Sequence, residues 1–386
     1  MGKIRDKGEG SVFQRNNGKW VAEFRVGTKP NGKANTKTFT GKTEQEVKKK
    51  LKQFKTEFIK NDFIDVKKIT VKNYMDNWLY TVKINELKPK SLDIKENILQ
   101  NQIYPYIGDI QIGNLKNTDV QNLINTLVAK GYSYSTIRKA YDNINSCFKL
   151  GVIKDDIIKN PCAGVSPPTK LIVNYSKEIT FFDDEQIEAI CKESIFQYGN
   201  KKMMYRLGHS IIVLLYTGMR RGELLGLKWK DIDFDNKTVK ISNSVVSVKN
   251  RSNTAKTKYV LIEQNSTKTS SGDRIIPLNL KAVDALQEIR KINTNSEYVM
   301  SNGNGNIINP RNFDRMFRNI LNRCGIEPCG VHALRHTFAS MLFKKGVDVK
   351  TVSELLGHAD VKITYNTYIH LIKEQKQQAV ALLDEL

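Results

Sequence analysis

His332-Ala333-Leu334-Arg335-His336, followed by Leu356-Gly357-His358 and then by Tyr368, is the stretch on which the reading of this chain turns. Four of the five histidines fall between His332 and His370. Arginine offers planar, paired donors to a phosphate, and histidine moves or shares protons near neutrality. A tyrosine hydroxyl can form a covalent phosphate ester. Together these residue types point to phosphoryl transfer built around a tyrosine. The region has no obvious carboxylate pair to hold magnesium, so neither a metal nor another cofactor is expected. His332 and Arg335 are three apart and share a face on a helix. His336 lies four beyond His332, the spacing of a zinc metalloprotease helix. That motif requires Glu after the first histidine, where Ala333 stands, and no third ligand is evident.

Upstream, Tyr216-Thr217-Gly218-Met219-Arg220-Arg221-Gly222-Glu223-Leu224 follows an apolar run from Ile211. The run predicts a buried helix ended by Gly218, with Arg220 pointing from the sharp turn. Glu223, one helical turn on, could hold that arginine rigid, as a phosphate clamp requires. Downstream, Tyr365 and Tyr368 both compete for the role of nucleophile on residue type alone.

Taken together, Thr217-Gly218-Met219-Arg220, His332-x-x-Arg335-His336, Leu356-Gly357-His358 and Thr364-Tyr365-Asn366-Thr367-Tyr368-Ile369-His370 resemble the tyrosine recombinase (phage integrase) family, in its order and at its approximate spacing. The resemblance covers the whole chain. It implies that Arg220 and Arg335 clamp the nonbridging oxygens of a scissile phosphate. His332 would help remove the tyrosine proton, and His358 would hydrogen-bond the phosphate. Tyr368, ten residues past His358, would be the nucleophile, and Tyr365 is too close to that histidine. Lys268, in Thr267-Lys268-Thr269-Ser270-Ser271-Gly272-Asp273-Arg274-Ile275-Ile276-Pro277-Leu278, matches the family's hairpin lysine, thought to protonate the leaving 5′ oxygen; Lys256 and Lys258 lie nearby. The implied activity is site-specific DNA strand exchange through a 3′-phosphotyrosine, needing neither ATP nor metal, that integrates and excises a phage or other mobile element. A type IB topoisomerase and a noncatalytic DNA-binding regulator on the same fold are the rivals. The implied partners are double-stranded DNA attachment sites, core and arm, a homo-tetramer on DNA, an excisionase and a host DNA-bending protein.

Composition agrees with a polyanionic partner. The 386 residues carry a net charge of +22. Residues 1–68 hold 18 Lys or Arg against 8 Asp or Glu, so this short piece supplies +10, whereas residues 69–160 supply only +3. Five cysteines, Cys147, Cys162, Cys191, Cys324 and Cys329, show no zinc spacing and read as reduced, buried thiols. With no signal peptide and no apolar stretch long enough to span a bilayer, a cytoplasmic protein with no membrane partner is expected.

The pattern along the chain predicts a multidomain α+β protein. Ser11 to Arg15, Lys19 to Val26 and Asn35 to Thr40 alternate as strands, with turns at Asn16-Asn17-Gly18 and Pro30-Asn31-Gly32. Trp20, Ala22, Phe24 and Val26 share one face, leaving Val21, Glu23 and Arg25 on the other. Thr43 and Glu46 cap a helix running to about Lys60, with Val47, Leu51, Phe54 and Phe58 as its stripe. The sheet face opposite that helix fits a DNA major groove, and Arg25 is the candidate for touching a base edge. Helical stretches follow near 71–83, 89–103, 118–130 and 134–150, the third starting at Thr118 or Asp119 and ending at Gly131. Pro161, Pro167 and Pro168 mark a linker. Beyond about Thr180 the chain is mainly helical, with strand alternation around 231–248, 258–263 and 273–278. Under the resemblance these parts become a small three-stranded sheet plus helix that binds arm sites (1–62), a helical core-binding bundle (69–162) and a mainly helical catalytic domain with a small sheet (175–386). The C-terminal stripe Ala379, Val380, Leu382 and Leu383 would dock on a neighbouring protomer or within its own.

Overall fold

A computed structural model describes residues 11–15, 18–28, 34–54, 68–169, 180–252, 257–265 and 273–369. The chain divides into two compact units, Met1–Tyr175 and Ser176–Leu386. Among the described residues, no helix is long and apolar enough to cross a membrane.

In the first unit, β1 (Ser11–Gln14), β2 (Trp20–Thr28) and β3 (Ala34–Gly41) form an antiparallel sheet in chain order. Gly18, at φ +79°, closes the first hairpin, where a side chain would be strained. The Pro30-Asn31-Gly32 turn lies outside the described residues. Helix α1 (44–54) begins as the sequence predicts: the Thr43 hydroxyl accepts from the Glu46 N–H at 3.2 Å, and the Glu46 carboxylate accepts from the Lys42 N–H at 2.9 Å. Val47 and Leu51 pack on Ala22, ringed by Val12, Trp20, Phe24 and Phe39, and the Phe54 ring closes on Phe24 and Phe39 at 6.0 and 5.0 Å. Phe58 and Lys60 lie outside the described residues. The opposite face differs from expectation at one place. Val21 is fully buried, standing between Phe13 of β1 and Thr40 of β3 in register, so the outer face is not open along its length. Arg25 pairs with Thr36 beside a bulge between Arg25 and Gly27, and its side chain lies outside the described residues.

The helical part of this unit contains two features the sequence periodicity does not announce. Helix α2 (Val71–Asn77) runs through a π-helical stretch, Trp78–Lys83, into α3 (Ile84–Glu86). Likewise α4 (Pro89–Ile98) runs through π-helical Leu99–Ile103 into α5 (Tyr104–Ile107). Both helices therefore extend beyond the predicted ends. Helix α6 (Asn117–Ala129) starts one residue before Thr118, because Asp119 reaches back to accept from the Lys116 N–H at 2.8 Å. Gly131 follows it at φ +73°, and α7 (Tyr134–Ile153) completes the bundle. Met75, Leu79, Leu99, Ile103, Leu123, Ile124, Leu127 and Phe148 fill the core.

The second unit is built around α9 (His209–Thr217), whose Ile211, Val213, Leu214 and Leu215 are all buried. A helix apolar on every side belongs in the centre. It packs against α8 (Asp184–Ser194), α11 (Leu280–Ile292) and α13 (His332–Lys344), and α10 (Arg221–Gly226) follows it. Strands β4 (Ile232–Asp233), β5 (Thr238–Ile241) and β8 (Arg274–Pro277) form one antiparallel sheet, and β6 (Asn243–Lys249) with β7 (Tyr259–Asn265) a separate hairpin. Helices α12 (Pro310–Arg323), α14 (Val349–Leu356) and α15 (361–369) complete the described fold. A second, smaller core of Phe338, Ala339, Phe343, Val352, Leu356 and Tyr368 joins α13, α14 and α15. All five cysteines are free, but only Cys147 and Cys162 are buried. Cys191, Cys324 and Cys329 are half-buried, correcting the expectation of uniformly buried thiols; each lies at the edge of the larger core.

Gly208, just before α9, stands against the end of α8: a Cβ there would lie 1.6 Å from the Ser194 carbonyl oxygen. Backbone cannot swing aside as a side chain can. Gly208→Ala is expected to destabilise the second unit by about 1–3 kcal/mol, the usual cost of overpacking. Thermal denaturation should show the drop, and an unchanged midpoint would refute the packing described.

Candidate active site

The turn between α9 and α10 sets the first arginine. Gly218 ends α9 in the left-handed region at φ +63°, and a Cβ there would meet the Phe338 ring at 2.3 Å. Arg220 follows at the N-cap of α10, where its N–H donates to Glu223 Oε2 at 2.8 Å. Its guanidinium donates to Glu223 Oε1 at 2.7 Å and to the Gly357 carbonyl at 3.1 Å.

Glu223 holds a second arginine from the far side. Arg274, at the start of β8, donates to its two oxygens at 3.2 and 2.8 Å and to the Leu355 carbonyl at 2.9 Å. The Arg274 and Glu223 side chains are 7% and 4% exposed, so this is a closed ion pair. Burial would raise the Glu223 carboxyl, but the hydrogen bonds and charge of Arg274, then the charge of Arg220, hold it at about 2.

Arg335 is bound differently. It is 2% exposed, on the first turns of α13, and donates to the Gly218 carbonyl at 2.8 Å and the Leu356 carbonyl at 2.6 Å. Desolvation, then the charge of Arg220, pushes its pKa down to about 9, so it remains cationic at neutral pH. Among the described residues no carboxylate pairs with it directly. A guanidinium has five N–H donors, and Arg220 and Arg335 each use two side-chain bonds on the protein. Among the described residues the rest have no protein partner and are free to meet an anion.

Arg220, Arg335 and His332 line one cavity of about 620 Å³ with Arg221, Asp314 and Arg318. Arg221 is ion-paired to Asp314. His332 stands at the cavity wall with its ring open to it. Desolvation by that wall, followed by the charges of His336, Arg335 and Arg220, pushes it down to about 4. His358 follows the left-handed cap of α14 at Gly357, φ +64°. Its Nδ1 lies 2.7 Å from the Thr364 hydroxyl, and desolvation, then Arg335 and Arg220, hold its pKa at about 4. Both imidazoles are therefore neutral at pH 7. Among the described residues no three His, Cys, Asp or Glu side chains converge as a metal site.

Tyr368 is not in that cavity wall. It is 1% exposed, with its hydroxyl 2.7 Å from His336 Nδ1, while Tyr365 is 37% exposed. Burial raises the Tyr368 pKa, partly offset by the charge of Arg335. The histidine at the tyrosine oxygen is thus His336; the His332 ring touches His336 edge-on at 4.8 Å. Lys268 lies outside the described residues. Arg274 was not singled out by the sequence reading, and His336 was weighed there as a zinc ligand, not as the partner of a tyrosine. The signal for Arg274 was its place on the β8 face shared with buried Ile276, where an arginine needs a partner.

Glu223→Gln leaves Arg274 in a closed site without its counter-charge. The expected loss is about 3–5 kcal/mol of stability. Denaturant unfolding should register it, and Glu223→Gln with Arg274→Met should recover most of it. A Glu223→Gln chain as stable as the parent would remove the ion pair from this account.

Comparison with known proteins agrees with the geometry. Residues 180–375 match the model of the phage integrase family, and residues 70–128 match the phage integrase N-terminal SAM-like domain. A tyrosine recombinase XerC-like protein of Caldanaerobacter subterraneus subsp. tengcongensis is 32% identical, over 94% of this chain and 94% of that protein. The Tn1549 transposon integrase, solved with a circular intermediate DNA, superposes at a TM-score of 0.63 with 22% identity, over 81% of this chain and 99% of that one. A lambda integrase, solved as a tetramer on a Holliday junction, gives 0.57 with 16% identity, over 92% of this chain and 97% of that one. The fold, the two-arginine cavity and the full-length relative agree: this chain belongs to the phage integrase family and is a tyrosine-type site-specific DNA recombinase.

Proposed function

We propose that Arg220 and Arg335 clamp the nonbridging oxygens of the scissile phosphate and that Tyr368 attacks its phosphorus. The carrying observation is Arg335, a desolvated guanidinium bound among the described residues only by two carbonyls, opening on the same cavity as Arg220 and His332. Such a preorganised cation is worth most where charge builds up in the transition state. Attack gives a 3′-phosphotyrosyl link and a free 5′ hydroxyl, with Lys268 protonating the leaving oxygen. The free hydroxyl of a partner duplex then attacks the phosphotyrosine, restoring the tyrosine. The ester keeps the bond energy, so neither ATP nor a metal is required. His332 serves proton removal from the tyrosine. His358 Nδ1 lies 2.7 Å from the Thr364 hydroxyl; in the tautomer where that hydroxyl donates, His358 carries its proton on Nε2 and gives a hydrogen bond to a phosphate oxygen.

The wider reading assigns 1–62 to arm sites, 69–162 to core-site binding and 175–386 to catalysis, in a tetramer joining two duplexes. An excisionase and a host DNA-bending protein would set direction and geometry. The +10 charge of residues 1–68 and the sheet backed by α1 support the arm assignment, with Arg25 the candidate base contact. The work would take place in the cytoplasm of the host cell.

Tyr368→Phe should abolish covalent adducts on a suicide core-site DNA in buffer containing EDTA, while leaving binding nearly intact. Adducts lost only with Tyr365→Phe, or restored only by magnesium, would overturn the assignment. Arg220→Ala and Arg335→Ala should each slow cleavage roughly a hundredfold to a thousandfold. Their effect on DNA affinity should be much smaller, because many basic residues contact phosphate. A fragment beginning near Ile69 should still cleave the core site yet fail to integrate a full attachment site. Integration by that fragment at the parent's level would end the arm-site reading.

A further inference from the structure

The cavity that holds Arg220, Arg335 and His332 has neither Tyr368 nor His336 in its wall. Tyr368 instead fills the small core with Phe343, ring centroids 5.4 Å apart, and its hydroxyl meets His336 Nδ1 at 2.7 Å. A tyrosine that is 1% exposed cannot present its hydroxyl for an in-line approach to the phosphate of a duplex. The helix that carries it is lightly held. Along α15 only Thr364 and Tyr368 are buried, four residues apart, and each makes a hydrogen bond to a histidine, His358 or His336. Val361, Ile363, Tyr365 and Ile369 on the same helix remain exposed.

We propose that His336 is the positioning residue of the nucleophile: its Nδ1 keeps the Tyr368 hydroxyl stored inside the α13–α14–α15 core, and strand cleavage requires this hydrogen bond to be released. The inference rests on Tyr368 being the nucleophile. The chemistry favours holding over proton removal. Burial raises the Tyr368 pKa, so the hydroxyl keeps its proton. Desolvation, then the charge of Arg335, lowers that of His336, which favours a neutral ring whose Nδ1 can accept from the hydroxyl in the Nε2–H tautomer. An imidazolium there would stand beside Arg335, one residue earlier on α13, and against the edge of the His332 ring.

The first test needs no DNA. The full chain is nitrated with tetranitromethane and mapped by peptide mass spectrometry, with exposed Tyr365 as the reference on the same helix. Tyr368 should be protected in the parent. His336→Phe keeps a ring of similar size without an acceptor, and should raise Tyr368 labelling relative to Tyr365 by about fivefold, the equilibrium weight of one hydrogen bond. His336→Asn places an amide near the Nδ1 position and should restore protection. Where phenylalanine compromises folding, His336→Gln, whose polar atoms lie beyond that position, replaces it. On a suicide core-site DNA, the His336→Phe single-turnover adduct rate should rise by a similar factor and return with His336→Asn. Unchanged Tyr368 labelling in His336→Phe refutes the proposal. So does an adduct rate that falls tenfold or more in both variants, which would make His336 the base. A parent chain that forms no adduct counts against Tyr368 as nucleophile, while the labelling still decides the role of His336.

Discussion

One carboxylate organises the second unit. Glu223 binds Arg220 at the end of one turn and Arg274 at the start of β8, and those arginines reach the carbonyls of Gly357 and Leu355 at the end of α14. Without Glu223, three cations would face each other across a poorly hydrated space. With it, one negative charge answers Arg274 and steadies Arg220, while Arg335 makes no direct contact with a carboxylate among the described residues and feels Glu223 only at a distance. The cavity is therefore electropositive by arrangement. The Coulomb cost of holding Arg335 there is what an arriving phosphate would relieve.

The features that could be read from sequence were those set by neighbours along the chain. Gly218 as a helix stop, the Thr43–Glu46 cap and the shared face of His332 and Arg335 each depend on a few adjacent residues. The candidate cluster of two arginines and two histidines was legible because each member carries a rare local string. What escaped were pairings across distance. Arg274 meets Glu223 from 51 residues away, and His336 meets Tyr368 from 32. Neither spacing has a period that a helix or strand would impose. Val21 escaped for a related reason: alternation assigns a strand residue to a face, but the flanking strands decide whether that face is covered. The two π-helical stretches escaped because one extra residue per turn shifts the apolar stripe partway along a helix that otherwise reads normally.

The division of labour in the second unit separates stability from reactivity. The larger core around α9 fixes Arg220 and Arg335 in place. Tyr368 belongs to the smaller core and to α15, of whose described residues only Thr364 and Tyr368 are buried. If the proposed roles hold, a rigid phosphate clamp beside a nucleophile that must be released would let the anion be bound before the hydroxyl arrives, so that the two events would be ordered in time.

Arg335 also has a mechanical consequence. Its two carbonyl partners, Gly218 and Leu356, stand at the C-terminal ends of α9 and α14, both followed or formed by a left-handed glycine cap. Helix C-termini carry partial negative charge. Two such ends aimed at one point repel each other, and the planar fork of the guanidinium bridges them, one amino group to each. The side chain is thus a rivet between helices as well as a charge. A lysine, with its compact ammonium on a flexible stem, matches the charge and not the span.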